Sequence, residues 1–271
     1  MRCDQLWELI YDAIGFRGRT RYKKFGSKES AMLRKILATA LIAGFLAGIA
    51  ISVVQEFTTT PIILHAEEFE GGEKGGAHKH SQARAFPRII LAHGEAPKAV
   101  EEEVWGPSRG LERTAYTTLA NVLTGVGFAL ILVACFALAG RPVNGQSGVL
   151  WGLAGFAIFT LAPALGLPPE VPGSMAAELV PRQSWWFLCV AATAAGLWLL
   201  VFRAGVAWKV AAITILALPH LIGAPHPAQI GGAVPPELAG HFAAASIVTA
   251  CIFWSVLGWV SGRVWQHLEA S

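Results

Sequence analysis

The chain has 271 residues, 54% hydrophobic and only 14% charged, with a formal net charge of +3 and a mean hydropathy of +0.50. Such a composition excludes an ordinary soluble domain of this length and places the chain among integral membrane proteins. No nucleic-acid partner is expected.

The N-terminal segment is basic. Residues 1–35 carry nine basic and four acidic residues, a net of +5, concentrated in Arg17, Arg19, Arg21, Lys23 and Lys24. A basic stretch before an apolar run could be a signal peptide, but the run exceeds 20 residues and ends in Gln55-Glu-Phe57, without a small-residue cleavage site. We read it as an uncleaved anchor. Residues 1–31 form a basic cytoplasmic extension ahead of a membrane domain over 32–271; Leu6, Trp7, Ile10, Ile14 and Phe16 could alternatively build an amphipathic interfacial helix.

Six apolar runs follow, near Leu33 to Val54, Ala115 to Leu138, Gly148 to Leu167, Trp185 to Phe202, Gly205 to Ile222 and Ala243 to Val260. Each approaches the ~20 residues needed to cross a bilayer. None contains Asp or Glu. Their hydrophobicity is continuous and does not alternate, so they predict helices packed as a bundle and not barrel strands. The expected class is all-α: a polytopic bundle of about six transmembrane helices.

Lys and Arg set the orientation. The basic N-terminus is predicted to be cytoplasmic, with Arg141, Arg203, Lys209 and Arg263 on the same side and Glu170, Glu178 and Glu237 on the other. Arg182 is the one basic exception. Both termini are therefore expected inside, and the long loop over 55–113 outside.

Polar chemistry collects where runs end on the predicted outer face. The first run leads into a collar holding His65, Glu67, Glu68 and Glu70; the third ends in Leu161-Ala-Pro-Ala-Leu-Gly-Leu-Pro-Pro-Glu170; the fifth ends in Leu218-Pro-His220-Leu-Ile-Gly-Ala-Pro-His226. Proline removes a backbone donor and unwinds helix ends. Loosened backbone at membrane depth must be covered by protein or line a wet cavity, so these ends predict a shared vestibule in which Glu170 and His220 approach one another.

His220 has two readings. It could cap its own helix by donating to a carbonyl, or it could ligate a metal as neutral imidazole, with Glu170 and Glu67 adding oxygen donors. Those carboxylates could equally be solvated loop residues. His78, His80 and His93 lie in a Gly-, Lys- and Glu-rich stretch that reads as solvated. Cys135, Cys189 and Cys251 fall within the runs without paired spacing and read as small apolar packing residues.

Gly44 with Gly48, and Gly148 with Gly152, make small-xxx-small patterns that permit close helix contact. Tryptophans 151, 185, 186, 254, 259 and 265 fall toward run ends, as interfacial anchors do. Arg182, Trp185 and Trp186 are expected to pin the fourth helix at the outer interface, unless Arg182 pairs with Glu170 or Glu178. The chain has no phosphate-binding Gly-x4-Gly-Lys loop, metalloprotease His pair or serine elbow. It is therefore read as neither an enzyme nor an ATP-driven pump in itself.

Several segments together resemble the CbtA family of bacterial cobalt transporter subunits. They are Leu33 through Gln55, Thr58-Thr-Thr-Pro61, Glu67-Glu-Phe-Glu70, Gly125-Val-Gly127-Phe, Gly148-Val-Leu-Trp-Gly152, Leu161 through Glu170, Arg182-Gln-Ser-Trp-Trp186, Pro219 through Pro225 and Pro235-Pro-Glu-Leu238. The resemblance runs from about Met32 to the sixth run and leaves out residues 1–31, much of 71–110, and His241. It implies a multi-pass protein of the bacterial cytoplasmic membrane that takes part in cobalamin-linked cobalt uptake. The implied partner is a small single-span, histidine-bearing CbtB-like subunit; lipid surrounds the bundle, and assembly with a further copy of the chain is left open. On this reading Glu67, Glu70, Glu170, His220 and His226 gather the ion, while Arg182, Trp185, Trp186 and Pro219 shape the outer face. Co2+, or Ni2+ or Zn2+, is cargo and no cofactor is permanently bound. A non-transporting scaffold or metal-sensing protein is the other class that fits these residues.

Overall fold

The computed structural model describes residues 19–73, 107–108, 110–227 and 232–270. Among them the regular structure is helical throughout: α1 Arg19–Phe57, α2 Thr59–Glu73, α3 Leu111–Ala139, α4 Gly145–Ala164, α5 Leu179–Phe202, α6 Val206–Ile222 and α7 Pro236–Ala270. The one extended contact is an isolated bridge between Ser174 and Gly232.

Five helices are long and apolar enough to cross a membrane, namely Ser30–Phe57 of α1, then α3, α4, α5 and α7. The fifth predicted run is α6, with 17 residues the shortest of the six. Their outward surfaces are apolar: Leu41, Phe45, Leu119, Leu123, Phe187, Val201 and Ile213 are all exposed. Apolar exposure on this scale is what lipid-facing helices require. The chain is a multi-pass helical membrane protein.

Three boundaries differ from expectation. The collar after the first run is not a loop but helix α2, set off from α1 at Thr58, whose hydroxyl turns back to the Val54 carbonyl at 2.8 Å. Pro61 falls in the first turn of α2, where a missing N–H costs nothing. Pro163 does not break the third run. The preceding residues Ala157–Leu161 form a π-helical turn, with the Ala162 N–H reaching the Ala157 carbonyl, and the helix continues to Ala164. Likewise α6 passes through Pro219 and stops four residues later at Gly223, whose φ of 87° suits glycine and whose N–H donates to the Pro219 carbonyl at 3.1 Å. The basic extension is helical from Arg19 and continuous with the first span. Leu6, Trp7, Ile10, Ile14, Phe16, His78, His80 and His93 lie outside the described residues.

The chain divides into two compact units. The first comprises residues up to Gly48, Val122–Leu153 and Trp254 onward; the second comprises Ile49–Asn121 and Ala154–Phe253. In the first unit glycines bring backbones into contact. A Cβ on Gly148 or Gly152 would run into the backbone of α7 at Gly258 and Trp254, and one on Gly44 into α3 at Val126. The close contacts foreseen from Gly44, Gly148 and Gly152 are therefore present. Phe136 lies edge-on to Trp151 and to Trp265 at 5.6 and 6.1 Å. At the basic end Lys35 pairs with Glu269 at 3.5 Å and stacks over Trp265 at 3.7 Å. The start of the first span and the end of the last thus lie side by side.

The second unit holds all the predicted metal ligands. Its buried cluster of Ala66, Val171 and Val234, packed against Leu238, Ala239 and Phe242, ties α2 to the segment after α4 and to the start of α7.

Candidate metal-handling site

The first two turns of α5 organise this site. Arg182 reaches Glu170 on the segment after α4, with a guanidinium-to-carboxylate distance of 2.8 Å; the two side chains are 32% and 31% exposed. Three residues on, and so on the same helix face, Trp185 is buried and donates its indole N–H to the Pro219 carbonyl at 3.1 Å. Its ring stands edge-on to His220 at 5.9 Å. Gly166 allows this indole to fit, since a Cβ there would lie 2.5 Å from the ring and 2.9 Å from the Ala224 side chain. The segments following α4 and α6 therefore do face one another, meeting at Gly166 and Ala224 over Trp185. One turn below Trp185, buried Cys189 places its sulfur 4.0 Å from His220 Nε2.

His220 is half-buried in the last turn of α6. The Gly223 N–H already ends that helix, and the imidazole faces the thiol and the indole instead of a capping carbonyl. Trp186 lies against Phe159 of the π-turn at 6.3 Å, fixing the other side of the first α5 turns. Pro219 is fully buried, and its missing N–H leaves the Ile215 carbonyl without its usual i+4 donor.

Glu67 lies apart from this group in bonding terms. It accepts from Arg113 of α3 at 2.6 Å, the two side chains being 21% and 31% exposed. Ala66 beside it and Val171 beside Glu170 share one buried cluster, so both carboxylates flank the same apolar contact. Each is held by an arginine. Glu70 lies in α2, and its side chain falls outside the described residues. His226 is exposed in the segment following α6. Among the described residues no three His, Cys, Asp or Glu side chains converge as they would in a closed metal site.

The sequence reading missed a polar ladder between α1 and α3. Asn121 Nδ2 donates to Ser52 Oγ at 3.0 Å and Gln55 Oε1 at 2.6 Å, and Thr114 donates to Glu56 at 2.9 Å. Thr58 and Thr249 meet through their hydroxyls at 3.2 Å, joining the end of α1 to α7. An Asn inside an apolar run is a visible signal, but its partners lie about 66 to 69 positions away in sequence. Cys189 was missed for a similar reason, because nothing local pairs it with His220.

A family model described as "Probable cobalt transporter subunit (CbtA)" matches residues 33–266. Neither a curated protein nor a solved structure matches the chain. The match takes in α3 to α6 whole and most of the first and last long apolar helices, and the chain belongs to the CbtA family of probable cobalt transporter subunits.

Proposed function

We propose that this chain is the membrane-embedded subunit of a divalent-metal uptake system in a bacterial cytoplasmic membrane, with cobalt as cargo. The ion arrives at the face bearing Glu67, Glu70 and Glu170, is taken up by His220 with His226 close by in sequence, and enters the helix bundle without ATP hydrolysis by this chain. One observation carries the reading: an imidazole, a thiol, a buried indole and an ion-paired carboxylate all meet the first three turns of one apolar helix, α5. Such groups are costly in hydrocarbon and belong to pathways and binding sites there. A carboxylate already shared with an arginine does not hold a cation firmly. Glu67 and Glu170 therefore attract and release, and the imidazole ligates.

As a subunit, the chain works with a partner, which we take to be a small single-span CbtB-like protein offering histidines. Both termini face the cytoplasm in this arrangement, so Ser81→Cys is labelled from outside intact cells and Ser271→Cys is not. Labelling of Ser271→Cys from outside would overturn it.

The arginine pairings also favour a second reading, in which Glu67 and Glu170 only hold helices together in a non-transporting scaffold or metal-sensing protein. Purified protein in liposomes, with and without its partner, separates the two. Time-dependent accumulation of cobalt supports transport; accumulation equal to that of empty liposomes in both preparations sinks it.

A further inference from the structure

We propose that Cys189 and His220 form a two-ligand transit site for a borderline-soft divalent cation, with Cys189 as a metal-binding residue. The role as a transit site rests on the transport reading above; binding of metal to the pair does not.

Three observations converge on it. Cys189 is fully buried on the face of α5 turned toward α6, and its sulfur lies 4.0 Å from His220 Nε2. A metal bound to both would sit ~2.3 Å from sulfur and ~2.0–2.1 Å from nitrogen. A tetrahedral angle between those bonds sets the two donors ~3.6 Å apart, a few tenths of an ångström from the separation observed. Thr193, one turn below Cys189, is also buried; its hydroxyl has no conventional hydrogen-bond acceptor and has the thiol as its polar neighbour. A donor left over in this way next to a thiol–imidazole pair is a third oxygen available to an ion. Finally, Trp185 bonds to the Pro219 carbonyl and stacks edge-on to His220, holding the imidazole over the thiol.

The chemistry suits passage. Thiolate and imidazole prefer Co, Ni, Zn and related ions over Mg and Ca. Two protein ligands leave the remaining positions to water or to the Thr193 hydroxyl, so the ion is held without being trapped. On binding, the hexaaqua ion gives up water, Co–S and Co–N bonds form, and the thiol proton passes to solvent. No electron is transferred.

The test uses the full chain in detergent with Cys3, Cys135 and Cys251 replaced by Ala, so that Cys189 is the sole thiol. Addition of CoCl2 is expected to raise a thiolate-to-Co2+ charge-transfer absorption in the near ultraviolet with release of one proton per ion. Cys189→Ser abolishes the band, and His220→Gln weakens Co2+ binding at least tenfold, while MgCl2 in excess leaves both unchanged. If the triple replacement does not fold, the difference spectrum between the unaltered chain and Cys189→Ser reads the same band. Absence of a thiolate band in folded protein that accumulates cobalt in liposomes overturns the Cys189 site and leaves the transport reading intact. A band in protein that accumulates no cobalt, with or without the partner, keeps the ligand pair but overturns its place on a transport path.

Discussion

Two seams of this protein join antiparallel apolar helices by opposite means. Where α4 meets α7, glycines at 148 and 152 face 258 and 262, and backbone touches backbone. Where α5 meets α6, the glycine contact is confined to Gly196 against Leu216 and Ala212, and toward the other end the helices are spaced by Trp185, Cys189 and His220. Helices in lipid gain little from the hydrophobic effect, so close packing is one source of association and internal hydrogen bonding the other. The first seam has no room for chemistry. The second gives up close contact and gains an imidazole and a thiol in a protected place.

The difference is broken most severely at the glycine seam. Gly148→Val or Gly258→Val drives a side chain into backbone, which cannot yield as a flexible side chain would, and is expected to cost roughly 3 kcal/mol or more. The readout is loss of monodisperse protein and a lower melting temperature in detergent. Gly127→Ala, whose added methyl meets nothing within 4 Å, should stay within about 1 kcal/mol of the parent by the same measurement.

At the polar seam, chemistry is expected to fail before folding does. His220→Gln keeps a neutral hydrogen-bonding side chain but removes the imidazole, so cobalt uptake should fall roughly tenfold or more while abundance and melting temperature hold. Equal loss of abundance would make His220 a packing residue. Trp185→Phe deletes the 3.1 Å bond to the Pro219 carbonyl and the outer ring that packs beside Gly166, for an expected loss of about 2 kcal/mol in thermal unfolding.

The smallest effect lies at the rim. A double-mutant cycle of Arg182→Gln and Glu170→Gln should give a coupling of about 1 kcal/mol or less, because a pair about one-third exposed is screened by water. Coupling well above that would mark Glu170 as structural and weaken its place in ion capture.

Continuous hydrophobicity and length made the helices legible in advance, and small-residue spacing gave the close contacts at Gly44, Gly148 and Gly152. Of the two anionic candidates considered for Arg182, Glu170 is the partner it takes. The site was less legible because its contacts are tertiary. Cys189 and His220 are 31 positions apart on different helices, and one residue of helix rotation would separate them. The prolines misled for a local reason: at Pro163 the chain adopted a π-turn, and at Pro219 it simply did without one hydrogen bond and continued.

The brevity of α6 has a mechanical consequence. Its 17 residues rise about 25 Å against a hydrocarbon core of ~30 Å. A helix this short cannot bring both ends to lipid headgroups unless the bilayer thins around it or protein covers one end. The bond from Trp185 to the Pro219 carbonyl and the fit of Gly166 against that indole cover the His220 end, so the short helix is seated by its protein neighbours and not by lipid.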